Sequence, residues 1–162
     1  MPRSRRESTG SSPPPSPARL GFINTDLMAR KKGKMTAAGH KKTCMEIYEK
    51  MLAPSTPTAK TVLWAGLRAA IEDWNEQLDG DVVDVHYASP QIAVSIIDQR
   101  INKFFGCESS SSSSGLVIIV GAGRNSKGGV PVLKPLVEKH LQSRGMPFIP
   151  LYTGALRVFA RR

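Results

Sequence analysis

The sequence predicts an α/β domain with the element order β-α-β-α-β-β, its helices packed over one sheet face, preceded by a helical arm. Three observations support this reading. Leu116-Val-Ile-Ile-Val120 is a short, fully apolar run that enters a glycine-rich loop; Val82-Val-Asp-Val-His86 is an earlier strand-like run that leads into a helix start; and stretches of helical periodicity alternate with these runs. With 162 residues and 40% hydrophobic content, the chain has room for one domain with a substantial core and some segments outside it.

Residues 1–34 are rich in Pro, Ser and Arg and hold too little apolar content to order themselves, so they are expected to form a disordered basic tail. Residues 35–80 read as the helical arm. Its first helix is expected over residues 36–52, where Cys44, Ile47, Tyr48 and Met51 fall at helical spacing, and Pro54-Ser-Thr-Pro57 ends it. The second should run from about residue 58 to 78, because Val62, Leu63, Leu67, Ala70, Ile71 and Trp74 recur every three or four positions. The expected role of both helices is packing, with a protein-partner surface as the alternative.

Residues 81–162 read as the α/β domain. Strand 82–86 is followed by Ser89-Pro90, a helix start with serine as cap and proline in the first turn. Ile92, Ala93, Ile96, Ile97, Ile101, Phe104 and Phe105 then form one apolar stripe that ends at Gly106. The serine run within residues 108–115 reads as a flexible connection to strand 116–120. After the glycine loop, Val130, Val132, Leu133, Leu136, Val137, His140 and Leu141 predict a further helix, with Pro135 near its first turn and Gly145 closing it. Two short strands, 146–152 and 155–160, flank a Thr153-Gly154 turn.

The formal net charge of +10 is unevenly spread, at +6 over residues 1–34, −2 over 35–81 and +6 over 82–162. A basic excess on the C-terminal half favours a polyanionic partner, of which nucleic acid is the commonest, against the blander reading of a solvated basic surface. Cys44 and Cys107 are far apart and fit neither a zinc spacing nor a disulfide framework, which suits a reducing compartment. No apolar run approaches the roughly 20 residues needed to span a bilayer. The expected setting is cytoplasmic and off the membrane, with nuclear or organellar placement left open.

The loop Gly121-Ala-Gly-Arg-Asn-Ser-Lys-Gly-Gly129 combines glycines, which allow positive φ and close backbone approach, with the charges of Arg124 and Lys127. It reads as a phosphate-handling loop, with an ordinary strand-to-helix turn as the alternative. It is not a P-loop, because four residues separate Gly123 from Gly128 but Gly129 stands where the lysine is required, and a dinucleotide fingerprint would need glycine where Ser126 stands. A mononucleotide enzyme is therefore disfavoured.

Asp84-Val-His86 at the end of the first strand and Gly121-Ala-Gly123 after the second together resemble the Smr (small MutS-related) domain family, which carries Leu-Asp-x-His and His/Thr-Gly-x-Gly at these places. Arg124-Asn-Ser-Lys-Gly-Gly129, Val132-Leu-Lys-Pro-Leu-Val137 and Thr153-Gly-Ala-Leu-Arg-Val158 extend the similarity, which spans about residues 82–160. Val83 stands in place of leucine, Tyr87 in place of a frequent glycine, Val120 in place of His or Thr, and Ala122 at an often basic position. These departures weigh on catalysis more than on binding. The resemblance implies a two-layer sandwich like the C-terminal domain of translation initiation factor three. It also implies nucleic-acid binding, with RNA favoured over DNA and the ribosome as a candidate partner, and RNA endonuclease activity, with links to mRNA or ribosome quality control. A non-catalytic RNA-binding or ribosome-associated adaptor is the alternative.

The chemistry can also be read from the residues. In a strand, alternate side chains share a face, so Asp84 and His86 are expected to point together toward substrate while Val83 and Val85 face the helices. His86 would take a proton from a ribose hydroxyl or a water, with Asp84 orienting it, against a purely structural hydrogen-bonded pair as the plain reading. The amides of Gly121, Ala122 and Gly123, with Arg124, Asn125, Ser126, Lys127 and Gly128, would hold phosphate. Lys134 and Arg157 are secondary phosphate candidates, and Tyr87 is a candidate for stacking on a base. His40 and His140 read as structural or surface residues. No cofactor is expected, no carboxylate cluster suggests a two-metal site, and metal dependence stays open.

Overall fold

A computed structural model of the chain describes residues 35–106, 115–123 and 126–161. The expected tail at 1–34, Cys107, the serine run, Arg124 and Asn125 lie outside the described residues, as does the side chain of Lys127.

Helices α1 (Ala37–Leu52) and α2 (Pro57–Glu76) come first, followed by β1 (Val82–Asp84), α3 (Pro90–Gly106), β2 (Leu116–Ile119), a 3-10 turn (Lys127–Gly129), α4 (Leu133–Ser143), β3 (Phe148–Tyr152) and β4 (Ala155–Val158). Helix starts follow local chemistry. Thr36 Oγ1 accepts from the Gly39 amide at 3.0 Å, Thr56 Oγ1 accepts from Ala59 at 3.2 Å ahead of Pro57, and Ser89 Oγ accepts from Ile92 at 3.3 Å ahead of Pro90. Among the described residues no helix is long and apolar enough to cross a membrane.

The four strands form one mixed sheet in the order β1-β2-β4-β3, with β1 and β2 parallel and the other neighbours antiparallel. Because successive strand residues face opposite sides, the register puts Val83, Leu116, Ile118, Leu156 and Val158 on one face, where they share a core with Ile96 and Ile97 of α3 and Val137 and Leu141 of α4. Asp98 of α3 accepts from His140 Nε2 at 2.7 Å and pairs with Arg144, which fastens the two covering helices together. His140 is thus structural, as expected.

The other face is covered in part as well, which the one-sided expectation missed. Trp74 and Leu78, at and just beyond the end of α2, pack on Val82, Val117 and Ile119, while Cys44 of α1 and Leu67 and Ile71 of α2 join the core of the first face. The helical pair therefore clasps the β1 edge from both sides. Asn75 completes the clasp: its Oδ1 accepts from the Asp84 amide at 2.6 Å, and its Nδ2 donates to the Asp84 carbonyl at 2.7 Å. A side-chain amide thus occupies backbone groups of an edge strand that a neighbouring strand would otherwise take.

Two apolar stripes are narrower than expected. Val62 is 66% exposed, because the buried side of α2 is set by Leu67, Ile71 and Trp74. Val130 and Val132 precede α4 and are exposed instead of packing within it. A helix starting at Val130 would carry Pro135 past its first turn, where the ring clashes with the preceding turn; starting at Leu133 leaves Pro135 among the amides that need no intrahelical partner.

Candidate functional site

Parallel pairing of β1 and β2 brings their C-terminal ends together, so the segment after Asp84 and the segment after Ile119 enter the same space. Ligand crevices of α/β sheets form outside the carboxyl ends of strands, and a cleft of about 470 Å³ opens here. Its lining joins His86, Tyr87 and Ala88 after β1, Val120 to Gly123 after β2, Pro90 and Leu133 from the starts of α3 and α4, and Met45 and Tyr48 from α1. Two helix N-termini therefore border one cleft, and both favour negative charge.

His86 sits beyond the strand, in the turn closed by the Ala88 amide donating to the Val85 carbonyl. Its Nδ1 lies 2.5 Å from Asp84 Oδ1, and its backbone amide donates to the same oxygen at 3.1 Å. The other carboxylate oxygen, Oδ2, accepts from Trp74 Nε1 at 3.1 Å. A carboxylate only accepts, so His86 donates from Nδ1 to Asp84, and Nε2 is the ring nitrogen that this contact leaves over in a residue lining the cleft. The side chain of Asp84 is 0% exposed and that of His86 24% exposed. This corrects the expectation that both meet substrate: α2 roofs Asp84, which reaches the cleft only by way of its contact with His86.

Beneath this pair lies a layer that the sequence reading set aside. The ring of His40 stacks on Trp74 at 5.0 Å and 8° and stands edge-on to His86 at 6.2 Å. Burial drives its pKa down from 6.5 to about 4, with Asp84 pulling upward and His86 pushing further down. His40 is accordingly neutral near pH 7. Cys44 Sγ lies 3.8 Å from both ring nitrogens, and its thiol is pushed up to about 11, mainly by burial, so it is inert packing. Burial followed by the charge of Asp84 raises the Tyr87 and Tyr152 phenols, which stay protonated.

The glycine loop is shaped by close approach. Gly121 has φ +78°, and a Cβ there would lie 3.0 Å from His86 Cβ; Gly123 has φ +76°, and its Cβ would lie 2.5 Å from the Pro131 nitrogen. Gly154 of the β3–β4 turn backs the loop, its carbonyl accepting from the amides of Val120 at 2.9 Å and Gly121 at 3.0 Å. The Gly121 amide is thereby engaged and does not face a ligand. Among the described residues, the Ala122 and Gly123 amides donate to no backbone carbonyl, which leaves two of the three expected donors.

Of the sequence-predicted residues, the fold gathers His86, Tyr87, Gly121, Ala122, Gly123 and Ser126 around one cleft, with Asp84 directly behind. Gly128 is exposed at φ +76°, away from the lining. Lys134 stands in the first turn of α4, next to the lining residue Leu133 but not part of the lining. Arg157 pairs with Val117 and Ile149 on the opposite sheet face and does not line the cleft. Sequence reasoning did not place Met45 and Tyr48 in the lining, nor His40, Trp74 and Asn75 behind Asp84 and His86.

No family model, curated protein or solved structure matches the chain. Among the described residues no group of three His, Cys, Asp or Glu side chains converges to hold a metal ion. Among the described residues, the cleft is lined by one imidazole, by two loop residues whose amides donate to no backbone carbonyl, by two helix N-termini and by apolar walls.

Proposed function

We propose that this chain is an Smr-type nucleic-acid-binding protein of the cytoplasm, directed at RNA and acting as an RNA endonuclease. Its βαβαββ portion would then be the two-layer sandwich akin to the C-terminal domain of translation initiation factor three. The observation that carries the reading is His86, held by Asp84 from behind, lining one cleft directly beside the Gly121–Gly123 loop.

In that reaction His86 Nε2 takes the proton of a ribose 2′-hydroxyl, and the freed oxygen attacks the adjacent phosphorus. The bond to the 5′-oxygen breaks, and water supplies the proton to that leaving oxygen. A 2′,3′-cyclic phosphate and a 5′-hydroxyl remain. Asp84 holds the imidazole in the tautomer this requires, the Ala122 and Gly123 amides meet the charge gathering on phosphate, and the basic sequence draws the polyanion in.

A second reading, an RNA-binding or ribosome-associated adaptor without cleavage, is favoured by one feature of the same cleft. Its described lining holds a single histidine and no carboxylate, lysine or arginine, so no side chain there is an evident strong acid for the leaving group. The test is salt-titrated binding and cleavage of labelled single-stranded RNA, duplex RNA and DNA, with and without magnesium. Wild type is compared with His86→Ala and with Arg124→Ala/Lys127→Ala. Cleavage lost with His86→Ala while affinity is kept supports the nuclease; salt-sensitive binding that never yields product supports the adaptor; no binding sinks both.

A further inference from the structure

We infer that the cleft takes an unstacked nucleobase, so that the RNA recognised is single-stranded, with Trp64 as the platform for the neighbouring base. The inference rests on the nucleic-acid reading above and adds which form of nucleic acid enters the site. It begins from the walls. A phosphate-only site needs donors and charge, yet here the walls facing the loop are aromatic and aliphatic: Met45 and Tyr48 from α1, Tyr87 after β1, and Val132 ahead of α4. The volume of about 470 Å³ lies within the range of sites that enclose a small organic group, roughly 300–1,000 Å³.

The aromatic surface is held in place. Tyr48 donates its hydroxyl to the Tyr87 carbonyl at 2.9 Å, locking α1 to the turn after β1, and the Tyr87 ring lies 3.6 Å from the His86 ring at 51°. A base entering beside Tyr87 would bring its own ribose next to His86. Outside the cleft, Trp64 of α2 stands perpendicular to Tyr48 at 6.4 Å and is 42% exposed, an indole left in solvent one ring away from the lining. Stacked bases of a duplex turn their faces to one another and cannot offer them to recessed rings, whereas a single strand can splay a base into a cleft and lay the next on an indole. The net charge of +6 over residues 82–162 matches the backbone that must follow.

The two tryptophans make the test direct, because Trp74 is fully buried and Trp64 is not. The full chain is titrated with single-stranded oligouridylate and with an RNA duplex of equal length, following tryptophan emission and, separately, affinity by a label on the RNA. Single strands should quench the emission and duplex should not. Trp64→Ala should abolish the quench and weaken single-strand affinity by about 5- to 150-fold, the range for losing one stacked base. Equal binding of both forms, salt-sensitive and indifferent to Trp64→Ala, would overturn this inference while leaving nucleic-acid binding intact. Binding of neither form would remove the nucleic-acid reading and this inference with it.

Discussion

Replacing His40 with phenylalanine should flatten the acid side of the stability profile of this protein. The imidazole is buried against Trp74, with Asp84, His86, Tyr87 and Cys44 as the titratable groups around it. Its pKa falls from 6.5 to about 4 on folding, chiefly through burial. Between those values the unfolded chain binds the proton and the folded chain does not, so stability rises with pH across that window. The contribution is complete above about 6.5 and is lost as pH falls toward 4. At 1.36 kcal/mol per pKa unit the full loss is roughly 3 kcal/mol, of which roughly 2 kcal/mol is already gone at about pH 5. Phenylalanine keeps a ring on Trp74 and removes the proton site. Urea unfolding of both proteins at about pH 7.5 and about pH 5 isolates the effect, since carboxylates common to both cancel in the difference. Wild type should lose roughly 2 kcal/mol more than His40→Phe over that interval. Equal losses would refute the claim that His40 is folded in as a neutral ring.

Asn75→Ala should lower stability by about 2–6 kcal/mol in the same assay, because it orphans the buried amide and carbonyl of Asp84 at once; a loss below about 1 kcal/mol would mean that the β1 edge is held by packing alone. Two glycines should respond in opposite directions. Gly154→Ala puts a Cβ 2.9 Å from backbone atoms of Gly121 and Ala122 and should cost about 1–3 kcal/mol while disturbing the loop. Gly66→Ala, in open space on α2, should gain about 0.4–1 kcal/mol.

Much of this arrangement is legible in the sequence for reasons tied to particular residues. The unbroken apolar run 116–119 can only be a strand buried on both faces, and the Ile92 to Ile101 stripe can only lie on a core. Ser89-Pro90 fixes the start of α3, and alternation correctly turns Val83 and Val85 away from Asp84. The meeting of His86 with the glycine loop follows once the two strands are parallel neighbours. Periodicity does not report what packs on an edge strand, so the roof over Asp84 was invisible. His40 and Asn75 nevertheless left a trace: each lies one helical turn from a buried apolar residue, Cys44 and Ile71 respectively. A polar side chain continuing an apolar stripe must find a buried partner: Asn75 finds the backbone of Asp84, and His40 finds Cys44 and the ring face of Trp74.

The proposed role of His86 as general base is tested by analysing the RNA ends left by the wild-type chain and by His86→Ala on one single-stranded substrate. Wild type should leave 2′,3′-cyclic phosphate and 5′-hydroxyl ends, and His86→Ala should bind the RNA with similar affinity and leave it intact. Cleavage by His86→Ala at the wild-type rate would contradict that role, and so would bound but uncut RNA with the wild-type chain, which would leave the Asp84–His86 pair a structural fastening in an RNA-binding adaptor.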